Sequence, residues 1–340
     1  METQIKNIIE SVRAETSKRL IGQEHLVDDI LMALIAGGHV ILEGVPGLAK
    51  TLAIKTISEI LDLDFKRIQF TPDLLPADVT GTVVYEQAKG SFSVRKGPVF
   101  ANVVLADEVN RAPAKVQSAM LEAMEERQIT IGEETFKLPQ PFFVLATQNP
   151  VEQEGTYNLP EAELDRFIMK LVINYPSFED EKNIVKTCGK ASEIPVKKVL
   201  GSKELLAMRE AVDKVNCDEK LIEYIVSILN VTRPNAAKAE KNSNGSNSSY
   251  FHTQAFAAEK KEDITRYIHF GASPRAGIAM LQCSKIHALF ENRDYVLPED
   301  IKAVALNVLR HRLVLSYEAS ADNITSDDII KRILDSVPLP

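Results

Sequence analysis

The chain has 340 residues, of which 45% are hydrophobic and 26% are charged, and its net charge at pH 7 is −8. This ordinary globular balance excludes a mainly disordered chain, a collagen-like chain and a coiled-coil rod. At about 150 residues per domain, the length predicts two domains.

The cellular setting follows from three simple features. Residues 2–19 mix charges throughout and lack the apolar core of a secretory signal. No run approaches the ~18 uncharged apolar residues of a membrane span, so we expect no membrane insertion. The three cysteines, Cys188, Cys217 and Cys283, are far apart and odd in number, which fits a reducing compartment. We therefore expect a cytoplasmic protein.

Helical and strand-like patterns alternate through the first half of the chain. Spacing of apolar residues predicts helices at 2–20, 23–35, 50–61 and 114–127. Short apolar runs predict strands at 39–42, 65–70, 103–106 and 142–146. Short buried strands separated by helices are typical of a parallel sheet covered on both faces.

Two segments interrupt this alternation of strands and helices, and the alternation ends after residue 176. Residues 82–94 and 128–138 alternate around glycine-containing turns and predict two β-hairpins. After Tyr175-Pro176 the pattern is helical with no clear strands, so the predicted domains are 1–176 and 177–340. Residues 236–262 are polar and of low complexity, and we expect a mobile loop there.

The segment between the first strand and the third helix carries the main chemical signal. It reads Gly44-Val45-Pro46-Gly47-Leu48-Ala49-Lys50-Thr51. In a P-loop, backbone N–H groups surround the phosphates, the lysine reaches the β- and γ-phosphates, and the Thr51 hydroxyl binds Mg²⁺. Ala49 departs from the usual glycine, which is acceptable where the residue keeps a negative φ. The alternative is a glycine-rich turn followed by a chance lysine.

Polar residues end two further predicted strands. Asp107 and Glu108 follow residues 103–106, where Asp107 would order Mg²⁺ and Glu108 would activate the attacking water. Asn149 follows residues 142–146 and would hold that water. Taken alone, the acidic pair could begin a loop and Asn149 could be a turn residue before Pro150. The order of strand, phosphate loop, helix and acidic strand end favours the catalytic interpretation.

Together these motifs resemble the MoxR family of AAA+ ATPases, within the helix-2-insert clade. The resemblance covers nearly the whole chain except 236–262, and Ala49 is common in the phosphate loop of this family. Beyond the phosphate loop, it is carried by residues 20–23, 106–113, 117–126, 146–150, 159–167 and 271–275.

The resemblance implies an α/β P-loop core, with the two hairpins as the helix-2 and presensor-1 inserts, followed by a smaller all-helical lid. It implies that nucleotide is bound by Ile21, Gly22, Gly44, Val45, Pro46, Gly47, Leu48, Ala49, Lys50, Thr51, Leu52 and Arg275. Asn149 takes the position of sensor 1, and Arg275 that of sensor 2. Arg166 takes the position of the arginine finger, which acts on the ATP of a neighbouring subunit. By sequence alone both arginines could instead form surface ion pairs, and the role of Arg111 stays open.

The function implied by the resemblance is ATP hydrolysis with Mg²⁺ that remodels a protein partner. A von Willebrand factor A-domain protein is the expected partner, in complex maturation or metal-cofactor insertion, and the expected assembly is a ring of six copies. A nucleic-acid motor is the first alternative, but the acidic turn Gly132-Glu133-Glu134 would repel phosphates, although Lys89 lies in the other turn. The second alternative is a slow nucleotide-dependent binding switch. It is disfavoured because the residues expected for catalysis, Lys50, Thr51, Asp107, Glu108 and Asn149, are all present.

Overall fold

The computed structural model describes residues 2–44, 50–149, 156–157, 159–187, 190–234 and 264–340. By its internal contacts the chain divides into a first unit, 1–211, and a second unit, 212–340. By contacts, residues 177–211 therefore belong to the first unit, whereas the sequence predicts a domain boundary near 176. The division into a nucleotide-binding core and a lid at residue 176 stays a prediction. The predicted loop 236–262 and residues 45–49 of the phosphate loop lie outside the described residues.

The first unit is built on a parallel sheet of five strands, in the order β2-β5-β8-β1-β9. The strands of the unit are β1 (His39–Glu43), β2 (Phe65–Gln69), β3 (Gly81–Glu86), β4 (Ser91–Lys96), β5 (Val103–Asp107), β6 (Gln128–Ile131), β7 (Glu134–Lys137), β8 (Phe143–Gln148) and β9 (Phe167–Val172). The three inner strands β5, β8 and β1 are buried along almost their whole length because helices cover both faces.

The strand β9 is absent from the sequence-based prediction. It forms an outer strand of the sheet beside β1. Lys170 interrupts its apolar run, and this lysine forms an ion pair of 2.5 Å with Glu43 on β1. This lysine makes the segment look less apolar than a buried strand in the sequence. The carboxylate that pairs with the lysine is identified only by the folded structure.

The helices of the first unit are α1 (Glu2–Thr16), α2 (Glu24–Ala36), α3 (Lys50–Ile60), α4 (Pro76–Thr80), α5 (Ala114–Glu126), α6 (Glu161–Leu164), α7 (Phe178–Lys186) and α8 (Ser202–Asp213). Residues of α5 such as Met120 and Met124 pack with Phe142 and Phe167 in the core around the sheet. The short helices α4 and α6 are not predicted, because four or five residues give too little periodicity to detect.

Both predicted hairpins are present. Strands β3 and β4 pair from Gly81 opposite Lys96 to Glu86 opposite Ser91, and β6 pairs with β7. At the outer end of the first hairpin, the rings of Tyr85 and Phe92 lie opposite each other with centroids 5.2 Å apart. Both rings are exposed.

The second unit consists mainly of helices. These are α9 (Glu219–Val231), α10 (Pro274–Phe290), α11 (Pro298–Leu309), α12 (Tyr317–Ala321) and α13 (Ser326–Ser336). A short antiparallel ladder of β10 (Ile268–Phe270) and β11 (Val314–Leu315) accompanies them. This ladder is not predicted, because strands of two or three residues show no alternation in the sequence.

A buried histidine ties three elements of the first unit together. The N–H of Val144 on β8 donates to His39 Nδ1 over 3.0 Å, so the ring proton lies on Nε2 and is donated to the carbonyl of Met124 on α5. His39 begins β1 and is only 5% exposed. Burial lowers its pKa from 6.5 to about 4, because the charged ring would lose its hydration.

We expect the protein to lose stability in mild acid through His39. Below pH 6.5 His39 binds a proton in the unfolded chain, whereas in the folded protein it does so only below about pH 4. The free energy of unfolding therefore falls as the pH is lowered from about 6.5 to 4. Between pH 7.5 and pH 5 the loss is about 2 kcal/mol. Urea unfolding followed by circular dichroism measures it. His39→Gln should flatten this dependence, whereas the exposed His25→Gln should leave it unchanged; equal slopes in all three proteins would contradict the assignment.

Candidate nucleotide-binding site

The site lies where the inner strands of the sheet end. Because β1, β5 and β8 are parallel neighbours, their carboxyl ends meet at one edge. Lys50, the first residue of α3, reaches this edge, where its ammonium group donates to the carbonyl oxygens of Gly44 and Gln148. A Cβ on Gly44 would lie 3.1 Å from Ile173 Cβ and 3.4 Å from Lys50 Cε. Glycine at position 44 therefore leaves room for Ile173, while the contact with Lys50 would be of ordinary length.

The charge of Lys50 is held close to acidic groups. Burial lowers the pKa of Lys50, while Asp107, Glu108 and Glu43 oppose this shift. The carboxylates thus favour the charged form of the half-buried lysine, and a charged lysine can bind an anionic phosphate.

Thr147 on β8 joins the two carboxylate residues that follow β5. Its hydroxyl donates to Asp107 Oδ1 over 2.6 Å and accepts the backbone N–H of Glu108 over 2.8 Å. The side chain is 2% exposed. The sequence analysis does not single out Thr147. The signal that could have identified it is a hydroxyl two residues before Asn149, close to the end of a buried strand.

Glu108 adopts an uncommon backbone conformation. Its φ of 57° and ψ of 50° lie in the left-handed region, which costs on the order of 1 kcal/mol for a residue with a side chain. Its carboxylate accepts a hydrogen bond of 2.8 Å from Gln69 and lies 3.3 Å from the Arg111 Nε. Arg111, whose role the sequence leaves open, pairs with this carboxylate.

Asp107 is paired with an arginine that the sequence analysis does not identify. Arg67 on β2 donates from Nε and Nη2 to Asp107 Oδ2, over 3.1 and 2.5 Å. Its Nη2 also donates to Gln69 on the same strand over 2.7 Å. Arg67 and Gln69 are two residues apart, so both side chains lie on one face of β2 and approach the carboxylates together.

The other residues of the first unit predicted to contact nucleotide or water lie on adjoining segments. Thr51 and Leu52 are half-buried in the first turn of α3, and Asn149 is 5% exposed directly after β8. Ile21 is half-buried, and Gly22 has a φ of 71°.

The positive φ of Gly22 favours glycine, and a Cβ there would also lie 2.5 Å from Asp180 Oδ2, so that side chain would have to move. The Asp180 side chain of α7 therefore lies against the segment for which the resemblance implies nucleotide binding.

The two arginines assigned by resemblance lie in different units. Arg166 precedes β9 and forms an ion pair of 3.2 Å with Glu125 of α5. Arg275 is exposed in the first turn of α10, where its N–H donates to the Ser273 hydroxyl over 3.1 Å. Arg275 belongs to the second unit and Lys50 to the first. The sensor 2 and arginine-finger roles stay predictions.

The oxygen donors of this edge suit Mg²⁺. The Thr51 hydroxyl and the Asp107 carboxylate are hard oxygen ligands, and Mg²⁺ commonly takes one or two protein ligands together with water and phosphate oxygens. Across the part of the chain that the structure describes, no cluster of three or more His, Cys, Asp or Glu side chains could hold a metal by itself. The donor set therefore fits a cation that arrives with phosphate.

Known proteins resemble this chain along most of its length. The model of the ATPase family associated with various cellular activities (AAA) matches residues 39–169, and an AAA lid domain model matches 260–333. Chaperone MoxR1 of Mycobacterium tuberculosis is 44% identical, over 96% of this chain and 81% of that protein. The chain belongs to the MoxR family of AAA+ ATPases. The family predicted from the sequence is confirmed.

Two further comparisons extend over nearly complete chains. The YeaC protein of Bacillus subtilis is 40% identical over 94% of this chain and 91% of its own. A crystal structure of a candidate ATPase from Cytophaga hutchinsonii is 46% identical, with a TM-score of 0.86 over 100% of this chain and 97% of that one. The predicted fold class, an α/β core followed by a helical lid, is confirmed. None of the described helices combines the length and the apolar character needed to cross a membrane.

We expect Thr147→Val to damage the site while preserving its shape. Valine fills the same volume but leaves the Glu108 N–H and an Asp107 oxygen without their partner, which costs about 1–3 kcal/mol of stability. Hydrolysis of ATP should fall at least tenfold, because both carboxylates lose their positioning contact. Urea unfolding and steady-state phosphate release measure the two effects. Thr130→Val, at an exposed position of β6, is the matched control, and equal behaviour of the two variants would contradict the assigned role.

Proposed function

We propose that this protein hydrolyses ATP with Mg²⁺ and uses the reaction to remodel a protein partner. The observation that carries the proposal is the meeting of Lys50, Asp107 and Glu108 at one edge of the sheet. A cation for phosphate, a carboxylate for the metal and a carboxylate for water are the parts that phosphoryl transfer to water requires. Membership of an ATPase family supports the same reaction.

The contacts at this edge and the family resemblance together support the following proposed roles. Lys50 binds the phosphates, with the segment Gly44–Ala49 and Leu52 around it, while Ile21 and Gly22 contact the base. Glu108 accepts a proton from the attacking water, and Asn149 orients that water from the end of β8. Thr51 and Asp107 hold Mg²⁺, which supplies positive charge to the phosphate oxygens when it is bound.

The active assembly we propose is a homo-oligomer, with six copies in a ring, in which Arg166 reaches the phosphates bound by a neighbouring copy. Arginine supplied in this way stabilises the charge that develops on the transferred phosphoryl group. Arg275 links the same event to the helices of the second unit. The partner is a protein, and a von Willebrand factor A-domain protein fits the family best, with complex maturation or metal-cofactor insertion as the task in the cytoplasm.

The charges of the hairpins favour a protein partner over nucleic acid. On the first hairpin, Lys89 is paired with Glu86 over 2.7 Å, and the Lys96 ammonium lies over the rings of Phe100 and Phe136 at 5.0 and 4.8 Å. The second hairpin turns at Gly132-Glu133-Glu134. A motor that tracks along phosphates would need several cations at such tips, whereas Lys89 is held by Glu86 and the exposed Arg95 lies back from the turn on β4.

Glu108→Gln tests the catalytic base. We expect this variant to bind ATP and assemble normally but to lose at least 100-fold in turnover, because an amide cannot accept the proton. Steady-state ATP hydrolysis should be followed over a range of protein concentrations, beside the exposed Glu122→Gln as control. In the wild type, specific activity that rises with concentration supports a site completed by assembly. Normal turnover in Glu108→Gln would remove Glu108 as the base.

Arg166→Ala tests the contact between copies. We expect Arg166→Ala and Lys50→Ala to be inactive alone and to recover part of the activity when mixed, because mixed oligomers contain an intact Lys50 site facing an intact Arg166. Glu125→Gln removes the partner of the Arg166 ion pair within one copy and should keep most of the activity. Inactivity in verified mixed oligomers would overturn the placement, and loss in Glu125→Gln equal to that in Arg166→Ala would assign Arg166 a structural role.

A further inference from the structure

Arg67 forms hydrogen bonds with Asp107, at the end of β5, that the proposed reaction does not require. Its guanidinium directs two donors, Nε and Nη2, at the same oxygen of Asp107, over 3.1 and 2.5 Å. A third contact, of 2.7 Å from Nη2 to Gln69 Oε1, fixes the plane of the group. The pair is therefore a directed contact rather than a loose attraction between surface charges.

The hydrogen bonds of Asp107 leave little room for another cation. A carboxylate oxygen has two lone pairs, and both lone pairs of Oδ2 are used by Arg67. The other oxygen, Oδ1, accepts the hydroxyl of the buried Thr147 over 2.6 Å. One lone pair of the whole carboxylate remains for a metal ion or for a water in its coordination shell.

The two partners of Asp107 differ in their freedom to move. Thr147 is 2% exposed within the sheet, so its hydroxyl stays in place. The Arg67 side chain is 48% exposed, on an outer strand of the sheet, and carries a long flexible stem. When a cation approaches Asp107, Arg67 is the partner that can withdraw into solvent, and the repulsion between the two positive charges favours its withdrawal.

We infer that Arg67 is a built-in competitor of the metal ion: it neutralises Asp107 when no metal is bound and withdraws when Mg²⁺ arrives with nucleotide. The inference rests on the proposed function, because it takes Asp107 as the residue that holds Mg²⁺. It makes Arg67 a positioning residue that sets the affinity for Mg²⁺. A side chain that binds only the metal-free form weakens the apparent affinity for the metal by the fraction of time it occupies the site.

Arg67→Gln tests this competition in ADP-bound protein, where no hydrolysis occurs. Mg²⁺ is titrated against the complex with a fluorescent ADP analogue, and the midpoint gives the apparent affinity. We expect the midpoint to fall about three- to tenfold in Arg67→Gln, which is the range for a well-directed but half-exposed ion pair. Lys66→Gln is the matched control, because it removes one positive charge from the adjacent residue, which is exposed and lies on the other face of β2.

A second measurement tests the ion pair without nucleotide or metal. Arg67→Gln should lower the Tm of the metal-free protein by about 1–3 °C, and the shift should vanish in the background of Asp107→Asn. If Arg67→Gln does not fold, Arg67→Lys replaces it, because lysine keeps the charge but cannot place two donors in this geometry. We expect it to give a smaller gain in Mg²⁺ affinity.

The outcomes separate this inference from the proposed function. Tighter Mg²⁺ binding in Arg67→Gln, with Lys66→Gln unchanged, supports competition. Unchanged or weaker Mg²⁺ binding in Arg67→Gln overturns it, and weaker binding assigns Arg67 to orienting Asp107 for the metal. A wild-type protein that binds neither ADP nor Mg²⁺ overturns the proposed function and the inference together.

Discussion

The Thr147 hydroxyl is the contact on which the geometry of the acidic site depends. It lies between two neighbouring parallel strands, and with one donor and one acceptor function it holds the Asp107 carboxylate and the Glu108 backbone at once. This contact supports Glu108 in a left-handed conformation that a residue with a side chain seldom adopts. Loss of the hydroxyl would therefore disturb together the residues proposed for metal binding and for water activation.

Arginines balance the charges of the two carboxylates. Arg67 pairs with Asp107 and Arg111 with Glu108, while Lys50 bonds to backbone carbonyls at the same edge. Two adjacent carboxylates without such partners would repel each other. A ligand that brings its own cation changes this balance, which gives the site a physical reason to respond to nucleotide and metal jointly.

The fold separates parts that hold the site from parts that can contact other molecules. The inner strands are buried and α5 packs one face into the same core, whereas the first hairpin exposes the ring pair Tyr85 and Phe92 at its outer end. Lys89 at its turn pairs with Glu86, and Lys96 lies over the ring of Phe136, while Arg95 on β4 is exposed. The exposed ring pair suits contact with a protein.

Local patterns in the sequence are sufficient for several parts of this protein. The inner strands, the longer helices of the first unit and both hairpins follow from periodicity and turn residues, because these signals lie within a few neighbouring residues. The order of phosphate-loop residues, acidic pair and Asn149 predicts both the family and the candidate site. The outer strand β9 is not predicted in this way, because Lys170 interrupts its apolar run. The charge of Lys170 is neutralised by Glu43 on another strand.

The sequence by itself determined the family, the α/β core with its helical lid, and the chemistry offered by Lys50, Asp107 and Glu108. Only the tertiary structure decided which side chains act on these groups. Arg67 is 40 residues from Asp107 along the chain, and so is Thr147 in the other direction, yet both bond to it because β2 and β8 are the two neighbours of β5. The order of strands in a sheet depends on how the whole chain packs, and no local pattern records it.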